Sequence, residues 1–490
     1  MDAFLDKMES SNQSRIVILG GGFAGLRIAY LLTRRGYGVS LIEKSDALGG
    51  MVQTYTYEHQ GERYRFDYGP HLFFEDHLRA YRDLLGADLM SLSGRFCMYA
   101  RRAMLSYPLR PSKMLIQLNP VQSVLYLLNY MVNAALRTNQ KDRDDLEAFM
   151  TGRFGRKLFL DFYSPYIEKC TGLAPNQISL LWAKERENVS GRSLKDNVIN
   201  KIKASLSRKV RDRLARANSP SADCITAWYP RKGAGQLCDV MSATLDPAGL
   251  YLNSQIESIE IAGKCVRGVV CRGNNVSQKI SGDYYVSTIP LPELVRWMPP
   301  DWKGRTEIGC LRYRKMRLVN LIVFRDRILD CLEVFSMDRR HLFKRVYEPK
   351  AMSDTMARSG KSSLCVEVCC NEGDEIEAMP AKDLVARCIG DLLSMKLLPS
   401  VEVVRDAFIV DVPNAYPIYQ IGFESERQKL TDLVGGMNNL ITCGRQGLFR
   451  YHAMTNEVME MAERVTDFLD GSRDKRFVTE NDSQWGAYFH

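Results

Sequence analysis

The chain has 490 residues, more than one hydrophobic core usually organises, so its length predicts two or three domains. Hydrophobic residues make up 45% and charged residues 26%, which is ordinary for a soluble globular protein. The net charge of +9 admits nucleic acid, anionic lipid or an anionic small molecule as a partner. The densest basic stretch, residues 201–217, comes without a nucleic-acid-binding motif, so we interpret it as a solvated helix face and expect no nucleic-acid partner.

The sequence contains no evident targeting, metal-binding or membrane-spanning pattern. The polar opening stretch lacks the pattern of a signal peptide, and the thirteen cysteines form no recurring paired motif, so we expect a cytoplasmic protein with free thiols. The six histidines fall in no ligand pattern, so no metal is expected. The apolar segment 121–136 is interrupted by Gln122, Asn129 and Asn133 and is too short to span a bilayer. It predicts a buried or half-buried helix without stable membrane insertion, and membrane contact is the alternative.

The first motif in chain order is a glycine-rich loop. A short apolar run ending at Leu19 reads as a buried parallel strand, and a helix-period pattern follows the loop. Between them lies G-x-G-x-x-G, formed by Gly20, Gly22 and Gly25. These glycines allow a tight turn, a close approach of pyrophosphate to the backbone and close helix–strand packing, and the helix amino terminus attracts phosphate.

A second strand, Gly38 to Glu43, supports this interpretation. Glu43 stands eighteen residues after Gly25, where a carboxylate can accept hydrogen bonds from ribose hydroxyls. Strand, glycine loop, helix, strand and acid together predict an α/β fold with a Rossmann-like dinucleotide-binding domain.

The following stretches carry a family resemblance. Glu43 runs into Lys-Ser-Asp-Ala-Leu-Gly-Gly-Met, residues 44–51, and residues 66–74 read Phe-Asp-Tyr-Gly-Pro-His-Leu-Phe-Phe. Here the sequence resembles the flavoprotein superfamily of amine oxidases, protoporphyrinogen oxidases, carotenoid desaturases and UDP-galactopyranose mutases, with the YGPH segment most similar to the mutase branch. The resemblance implies non-covalently bound FAD. The residues implied to hold it here, beside Gly20, Gly22, Gly25 and Glu43, are Phe23, Ala24, Lys44, Gly49, Gly50, Met51, Gly69, Pro70, His71 and Leu72.

The carboxyl-terminal part resembles the segment that closes the flavin site in this superfamily. Residues 438–454 read as a strand, a glycine turn at Gly444 and a helix beginning near Met454. Arg445 follows the glycine, as in the mutases, where many other relatives carry an acid. The resemblance assigns Gly444, Arg445 and Met454 to the cofactor site, and it lets the backbone of Ile256 hold the adenine.

Helix-period patterns over 95–220 and alternating apolar runs over 291–405 predict two insertions into a discontinuous cofactor domain, a helical one and a mixed-sheet substrate domain. The predicted ranges are 14–94 (FAD-binding, first part), 95–220 (helical cap), 221–290 (FAD-binding, second part), 291–405 (substrate-domain sheet), 406–470 (FAD-binding, third part) and 471–490 (tail).

Three clusters are candidates for the substrate side. They are Tyr416 with Tyr419, Arg450 and Tyr451 beside Arg445, and Trp182 with Arg186. In the mutases comparable tyrosines bind a substrate diphosphate, and arginine forks suit phosphate oxygens. Packing roles for the tyrosines and for Trp182 remain the alternative. Two positions depart from the mutase pattern, because Phe74 replaces a second histidine and His452 stands where relatives often carry asparagine.

These features predict an FAD-dependent oxidoreductase that transfers a hydride from a sugar-like, nucleotide-linked substrate to flavin N5. His71 and His452 are the candidate acid–base residues, since histidine titrates near neutral pH. The alternatives are a mutase that uses reduced flavin as a nucleophile, an oxidase or desaturase of an apolar or porphyrin substrate, and a flavin-binding module without activity. The partner is expected to be a small anionic molecule; a homodimer is left open.

Overall fold

In the computed structural model, the described residues are 14–74, 78–107, 118, 120–135, 145–190, 224–302, 309, 311–451 and 455–471. They form two large sheets, three smaller β units and a group of helices. The α-helices are Phe23–Arg34, Leu78–Leu85, Pro120–Ala135, Leu146–Phe154, Arg156–Leu158, Ser164–Thr171, Leu181–Ser190, Gln236–Ser242, Leu291–Arg296, Glu375–Ala378, Ala381–Ser394, Phe423–Gly435, Gly444–Gly447 and Thr455–Leu469.

The first sheet is parallel throughout and has five strands. Their spatial order is Leu440–Thr442, Tyr284–Ser287, Arg15–Leu19, Gly38–Ile42 and Leu250–Tyr251. Strand Arg15–Leu19 is buried from Ile16 onward because both faces are covered. Ile16 and Ile18 pack with helix Phe23–Arg34 on one face, whereas Val17 and Leu19 pack on the other.

A three-stranded antiparallel sheet contributes to the second of these faces. Its strands are Ser254–Ala262, Cys265–Gly273 and Val276–Ile280. Ile256 and Ile259 belong to the same apolar cluster as Val17 and Leu19. The predicted α/β class with a Rossmann-like domain is therefore confirmed, with the parallel sheet between helical and β layers.

The second large sheet is mixed and has seven strands. In order they are Val404–Pro417, Tyr313–Val323, Ser362–Cys370, Arg345–Tyr347, Glu333–Ser336, Phe96–Ala100 and Ala103–Tyr107. One face packs on helix Ala381–Ser394, and the other packs on the ribbon formed by Thr54–His59 and Glu62–Asp67. A further ribbon pairs Leu89–Gly94 with Ile225–Pro230.

Three observations bear on the predicted segment bounds. Strands Phe96–Ala100 and Ala103–Tyr107 fall in the stretch expected to be helical but join the seven-stranded sheet, because short apolar runs do not distinguish strand from helix. Strand Val404–Pro417 crosses the boundary drawn at 405. Helix Pro120–Ala135 forms as predicted, yet much of its apolar surface is exposed rather than buried. The basic stretch 201–217 and the tail after 471 lie outside the described residues.

Candidate active site

A cavity of about 1080 Å³ opens between the carboxyl ends of the parallel strands and the seven-stranded sheet. Strand Arg15–Leu19 is central in the parallel sheet, with Gly38–Ile42 on one side and Tyr284–Ser287 on the other. The chain therefore leaves the central strand at the point where the order of strands reverses, which is where open α/β sheets bind ligands.

The first glycine loop lines this cavity through Gly20 and Gly22. A side chain at Gly22 would meet no atom within 4 Å, so this position faces open space in the cavity. Gly25 is different, because a Cβ there would overlap the carbonyl oxygen of Gly20. Gly22 thus leaves room for a ligand, whereas Gly25 is required by the packing of helix Phe23–Arg34 on the strand.

Glu43 lies just after strand Gly38–Ile42 and also lines the cavity. One carboxylate oxygen accepts a hydrogen bond of 2.7 Å from the Gly21 amide, and the other accepts bonds from the amide and hydroxyl of Ser45 at 2.9 and 2.8 Å. Each oxygen has two lone pairs, so the carboxylate can accept further bonds from a ligand hydroxyl.

The second glycine segment packs directly on the first. The Gly49 amide donates a 2.7 Å hydrogen bond to the carbonyl of Gly21, and Gly49 forms an isolated parallel bridge with Gly22. Gly49 has a φ of 111°, a left-handed conformation that favours glycine. The two glycine segments are separate in the sequence, yet they form one wall of the cavity together with Lys44 and Met51.

The YGPH segment forms another part of the wall, with Gly69, Pro70, His71 and Leu72 all lining the cavity. The pKa of His71 is lowered to about 4, mainly by burial and also by the nearby charges of Arg345 and Arg445, against a backbone hydrogen bond at Gly69 that raises it. The Nδ1 atom of His71 is buried and has no hydrogen-bond partner. The imidazole is therefore neutral at pH 7 and keeps one ring nitrogen available to a ligand.

Opposite the glycine loops lies a buried charge network that the sequence analysis did not identify. Arg345 contacts Glu333 at 3.0 Å and Glu367 at 2.6 Å, and Lys344 contacts Glu367 at 3.1 Å. Lys344, Glu333 and Glu367 are almost fully buried. The two carboxylates compensate the two cations, as buried charges require. In the sequence, the one indication of this network is Glu367, a charged residue within the otherwise uncharged strand Ser362–Cys370.

Tyr416 connects this network to the predicted substrate cluster. Its hydroxyl accepts a 2.9 Å hydrogen bond from Lys344 Nζ, and its ring stacks on Tyr451 with centroids 5.1 Å apart. The guanidinium of Arg445 lies 4.7 Å from the centre of the Tyr416 ring. Arg445 donates to the carbonyl of Ala415 at 2.7 Å and has no carboxylate within 4.0 Å among the described residues. It is therefore a cation at the cavity wall without an acidic partner.

Several other predicted site residues also lie at the wall, and some do not. Phe23, Ala24, Gly50 and Ile256 line the cavity, as does Phe74. Gly25, Gly444, Tyr419, Trp182 and Arg450 are not among the lining residues. His452, Met454 and the side chain of Arg186 fall outside the described part of the chain.

Tyr419 and Trp182 support the cavity wall from behind. Tyr419 is fully buried, its hydroxyl bonds to Glu185 at 2.9 Å, and it accepts a 2.8 Å bond from the Tyr451 amide. The Trp182 ring lies 5.5 Å from that of Tyr451. Gly444 lies beside Ala24, to which an added Cβ would come within 3.1 Å. Tyr419 and Trp182 thus position Tyr451, and Gly444 packs against Ala24; both Tyr451 and Ala24 line the cavity.

The sequence analysis also missed lining residues that lie far from any motif. They include Glu293, Arg296, Trp297, Glu333, Phe335, Lys344 and Arg345. All of these lie in the second half of the chain, where no glycine pattern marks them. Glu293 and Arg296 come from helix Leu291–Arg296, whereas Glu333, Phe335 and Arg345 reach the cavity through the seven-stranded sheet, whose register no local pattern of residues encodes.

Comparison with known proteins begins with the amino-terminal part. Residues 18–85 match the family of NAD(P)-binding Rossmann-like domains. An L-amino-acid oxidase from Demansia vestigiata is 45% identical over 53 residues, which cover 11% of this chain and 10% of that protein. Another from Bothrops jararacussu is 37% identical over 86 residues, 17% of each chain. The match therefore spans only about a tenth to a sixth of the length of these relatives.

Solved structures match over nearly the whole chain. A reduced UDP-galactopyranose mutase superposes with a TM-score of 0.80 at 20% identity, covering 97% of this chain and 99% of the mutase. An oxidoreductase from Methanosarcina mazei gives 0.62 at 12% identity, covering 92% and 100%. A putrescine oxidase redesigned in its cofactor binding gives 0.63 at 14% identity, covering 94% and 99%.

The chain therefore shares the fold of a UDP-galactopyranose mutase and a putrescine oxidase, and a short part of it is similar in sequence to L-amino-acid oxidases. The resemblance predicted from the glycine motifs is confirmed at the level of the fold. Among these three structures the mutase has the highest TM-score, in keeping with the predicted similarity to that branch.

In the described parts of the chain, no group of histidine, cysteine and acidic side chains is arranged to hold a metal ion. Within the same residues, no helix combines the length and the apolar character needed to cross a membrane.

The YGPH segment is anchored by a buried carboxyl immediately before it. Asp67 accepts hydrogen bonds from the hydroxyls of Thr54 and Tyr229 and from the Ala234 amide, and its own carbonyl accepts a 2.6 Å bond from Tyr347. Burial raises the pKa of the Asp67 carboxyl to about 6, against these hydrogen bonds, which lower it.

This pKa predicts a pH-dependent stability. The folded protein keeps a proton on Asp67 up to about pH 6, whereas the unfolded chain releases it near pH 4. The contribution of this group to stability is therefore fully present below about pH 4 and is lost as the pH rises to about 6. The loss is about 3 kcal/mol in the free energy of unfolding. Denaturant titrations between these pH values should show this fall in the free energy of unfolding in the wild type. The control variant Asp301→Asn, at an exposed position, should show the same fall, whereas Asp67→Asn should not. Parallel pH profiles for all three proteins would contradict the assignment.

Proposed function

We propose that this protein is an FAD-dependent oxidoreductase that takes a hydride from a sugar-like, nucleotide-linked substrate. One observation carries the proposal: a single cavity joins the glycine loops and Glu43 to a polar aromatic end formed by Tyr416, Tyr451 and Arg445. Its volume of about 1080 Å³ reaches the upper end of the range of roughly 300–1,000 Å³ usual for a small-molecule site, which suits two ligands better than one.

The cofactor end fits a dinucleotide. Gly20 and Gly22 offer backbone at the amino terminus of helix Phe23–Arg34, where pyrophosphate is stabilised by the helix dipole and free amides. Glu43 has lone pairs for ribose hydroxyls, and the backbone of Ile256 is at the wall for the adenine. FAD, when bound, supplies the hydride acceptor. We propose non-covalent attachment, since no cysteine is among the lining residues of the described chain.

The substrate end fits an anion. Glu333 and Glu367 compensate Lys344 and Arg345, whereas Arg445 at the wall has no acidic partner among the residues that the structure describes. Guanidinium groups bind phosphate oxygens in bidentate fashion, and the adjacent Tyr416 and Tyr451 can donate hydrogen bonds or stack on a base. Arg450, Tyr419, Trp182 and Arg186 remain proposed contributors, of which Tyr419 acts through Tyr451.

His71 supplies a base for the hydroxyl proton of the substrate. Its imidazole is neutral at pH 7 because burial lowers its pKa to about 4, and its Nδ1 lacks a hydrogen-bond partner. A neutral imidazole with a free nitrogen can accept a proton as the neighbouring C–H bond loses its hydride. His452 remains the second proposed acid–base residue. The free cysteines of the described chain agree with a cytoplasmic location, which we also propose.

A sugar mutase is the second candidate, and it is favoured by the TM-score of 0.80 with a UDP-galactopyranose mutase and by Arg445 at the closing turn. The same cavity would then bind a nucleotide sugar without net electron transfer. An apolar or porphyrin substrate receives less support. The apolar helix Pro120–Ala135 would favour such a substrate, but none of its described side chains lines the cavity.

The cofactor assignment predicts that Gly22→Val abolishes FAD binding without unfolding the protein. The new side chain would point into the cavity, where it meets no protein atom within 4 Å but occupies the space proposed for the pyrophosphate. The measurement is the flavin absorbance per protein together with the melting curve of the apoprotein. Gly38→Val, at an exposed glycine that also meets nothing within 4 Å, is the control and should keep its flavin. A yellow Gly22→Val protein with stoichiometric FAD would refute this placement.

The substrate assignment predicts that Arg445→Met weakens the binding of nucleotide sugars. A charge-assisted hydrogen bond contributes roughly 1.5–3 kcal/mol, so the dissociation constant should rise by roughly ten- to a hundredfold. Nucleotide sugars are titrated into the oxidised holoenzyme, and the change in flavin fluorescence gives the constant. Arg445→Lys should recover part of the affinity, and Arg267→Met, at an exposed strand position, should bind like the wild type.

Two results would count against this assignment while leaving the cofactor assignment in place. One is an unchanged dissociation constant in Arg445→Met. The other is a flavin signal that responds to porphyrins or long polyenes but to no phosphate-bearing sugar.

A further inference from the structure

Helix Pro120–Ala135 has its polar side chains turned toward the protein. Gln122 accepts a 3.2 Å hydrogen bond from Arg101, and Asn129 accepts a 2.9 Å bond from the Lys157 amide. Both side chains are partly buried against neighbouring elements. The usual arrangement of a surface helix, with apolar residues inward and polar residues outward, is therefore reversed here.

The outward face of this helix is apolar along its described length. The exposed stripe, which we call the apolar face, consists of Val121, Val124, Leu125, Leu128, Met131 and Val132. Their spacing of three and four residues places them on one side of the helix. With Leu127, this helix carries seven of the twelve large apolar side chains that are exposed in the described part of the chain.

Such a concentration indicates a contact surface. Singly exposed apolar residues are common, but a contiguous apolar patch on a soluble protein usually marks a surface that another molecule covers. The apolar face takes no part in the cavity wall. Its role is thus separate from the proposed chemistry and does not depend on it.

Basic side chains flank the apolar face. Arg101 and Arg102 form the turn of the hairpin beside the helix, and Arg156 and Lys157 belong to the short helix that contacts Asn129. Asp161 pairs with Arg101 at 3.0 Å and with Lys157 at 3.4 Å. Two of the four cations thus share one carboxylate, and among the described residues Arg102 and Arg156 form no ion pair. The flank of the apolar face is therefore a border with net positive charge.

We propose that the apolar face binds the surface of an anionic membrane, with the helix lying in the plane of the lipid headgroups. An interfacial helix gains affinity from apolar area inserted among acyl chains and from cations that attract anionic lipid. A second copy of this chain fits less well. A two-fold symmetric contact through the apolar face would bring the same positive border against itself.

The test is a vesicle-binding assay on the full-length protein containing FAD. Vesicles of phosphatidylcholine alone and of phosphatidylcholine mixed with phosphatidylglycerol are floated with wild type and with the double variant Leu128→Glu, Val132→Glu. Val276→Glu, Val401→Glu is the matched control, because both valines are exposed but lie on other elements. Flavin content and melting temperature establish that each variant is folded.

Wild type and control should bind the anionic vesicles more tightly than the neutral ones, and added salt should weaken this binding. The helix double variant should bind roughly a hundredfold more weakly, since two inserted apolar side chains are replaced by charges. Three outcomes would overturn the proposal: no binding of wild type to anionic vesicles, equal binding of the two double variants, or a wild-type dimer that the helix variant alone dissociates.

Discussion

The hydrogen bond from the Gly49 amide to the Gly21 carbonyl joins the two glycine segments into one surface. Glu43 reinforces it by accepting from Gly21 on one side and from Ser45 on the other. Side chains at these glycines would collide: a Cβ at Gly21 would overlap Leu48, and one at Gly49 would lie 2.9 Å from Cys238 Cβ. These two positions therefore require glycine, and the backbone amides and carbonyls exposed there limit where the proposed nucleotide can lie.

The opposite wall depends on charge rather than on close backbone contact. Burying Lys344 and Arg345 is possible because Glu333 and Glu367 share their charges at distances near 3 Å. Tyr416 then lies between Lys344 and Arg445, with both cations within 5 Å of its ring centre. This arrangement fixes an aromatic surface next to Arg445, which forms no ion pair within the described part of the chain. It also keeps His71 neutral, because burial and the arginines both lower its pKa.

The end of the cavity proposed for the cofactor could be predicted from sequence because its geometry is local. Gly20, Gly22 and Glu43 lie at a turn, a helix terminus and a strand end that follow one another within one βαβ unit. The end proposed for the substrate could be predicted only where a family motif marks it, as at Tyr416 and Tyr451. Lys344 and Glu367 meet through strand pairing in the seven-stranded sheet. Arg450 lies outside the cavity wall although Tyr451, the next residue, lines it.

The measurement that tests the central claim most directly is anaerobic mixing of the oxidised holoenzyme with a panel of nucleotide sugars, followed by absorbance and product analysis. If the cavity holds FAD beside a sugar whose hydride it accepts, one nucleotide sugar should bleach the flavin and yield one equivalent of oxidised sugar. That reduction should slow as pH falls toward 4, where His71 becomes protonated. A flavin that stays oxidised with every nucleotide sugar, while pre-reduced enzyme converts one of them to an isomer, would contradict the oxidoreductase and establish the mutase.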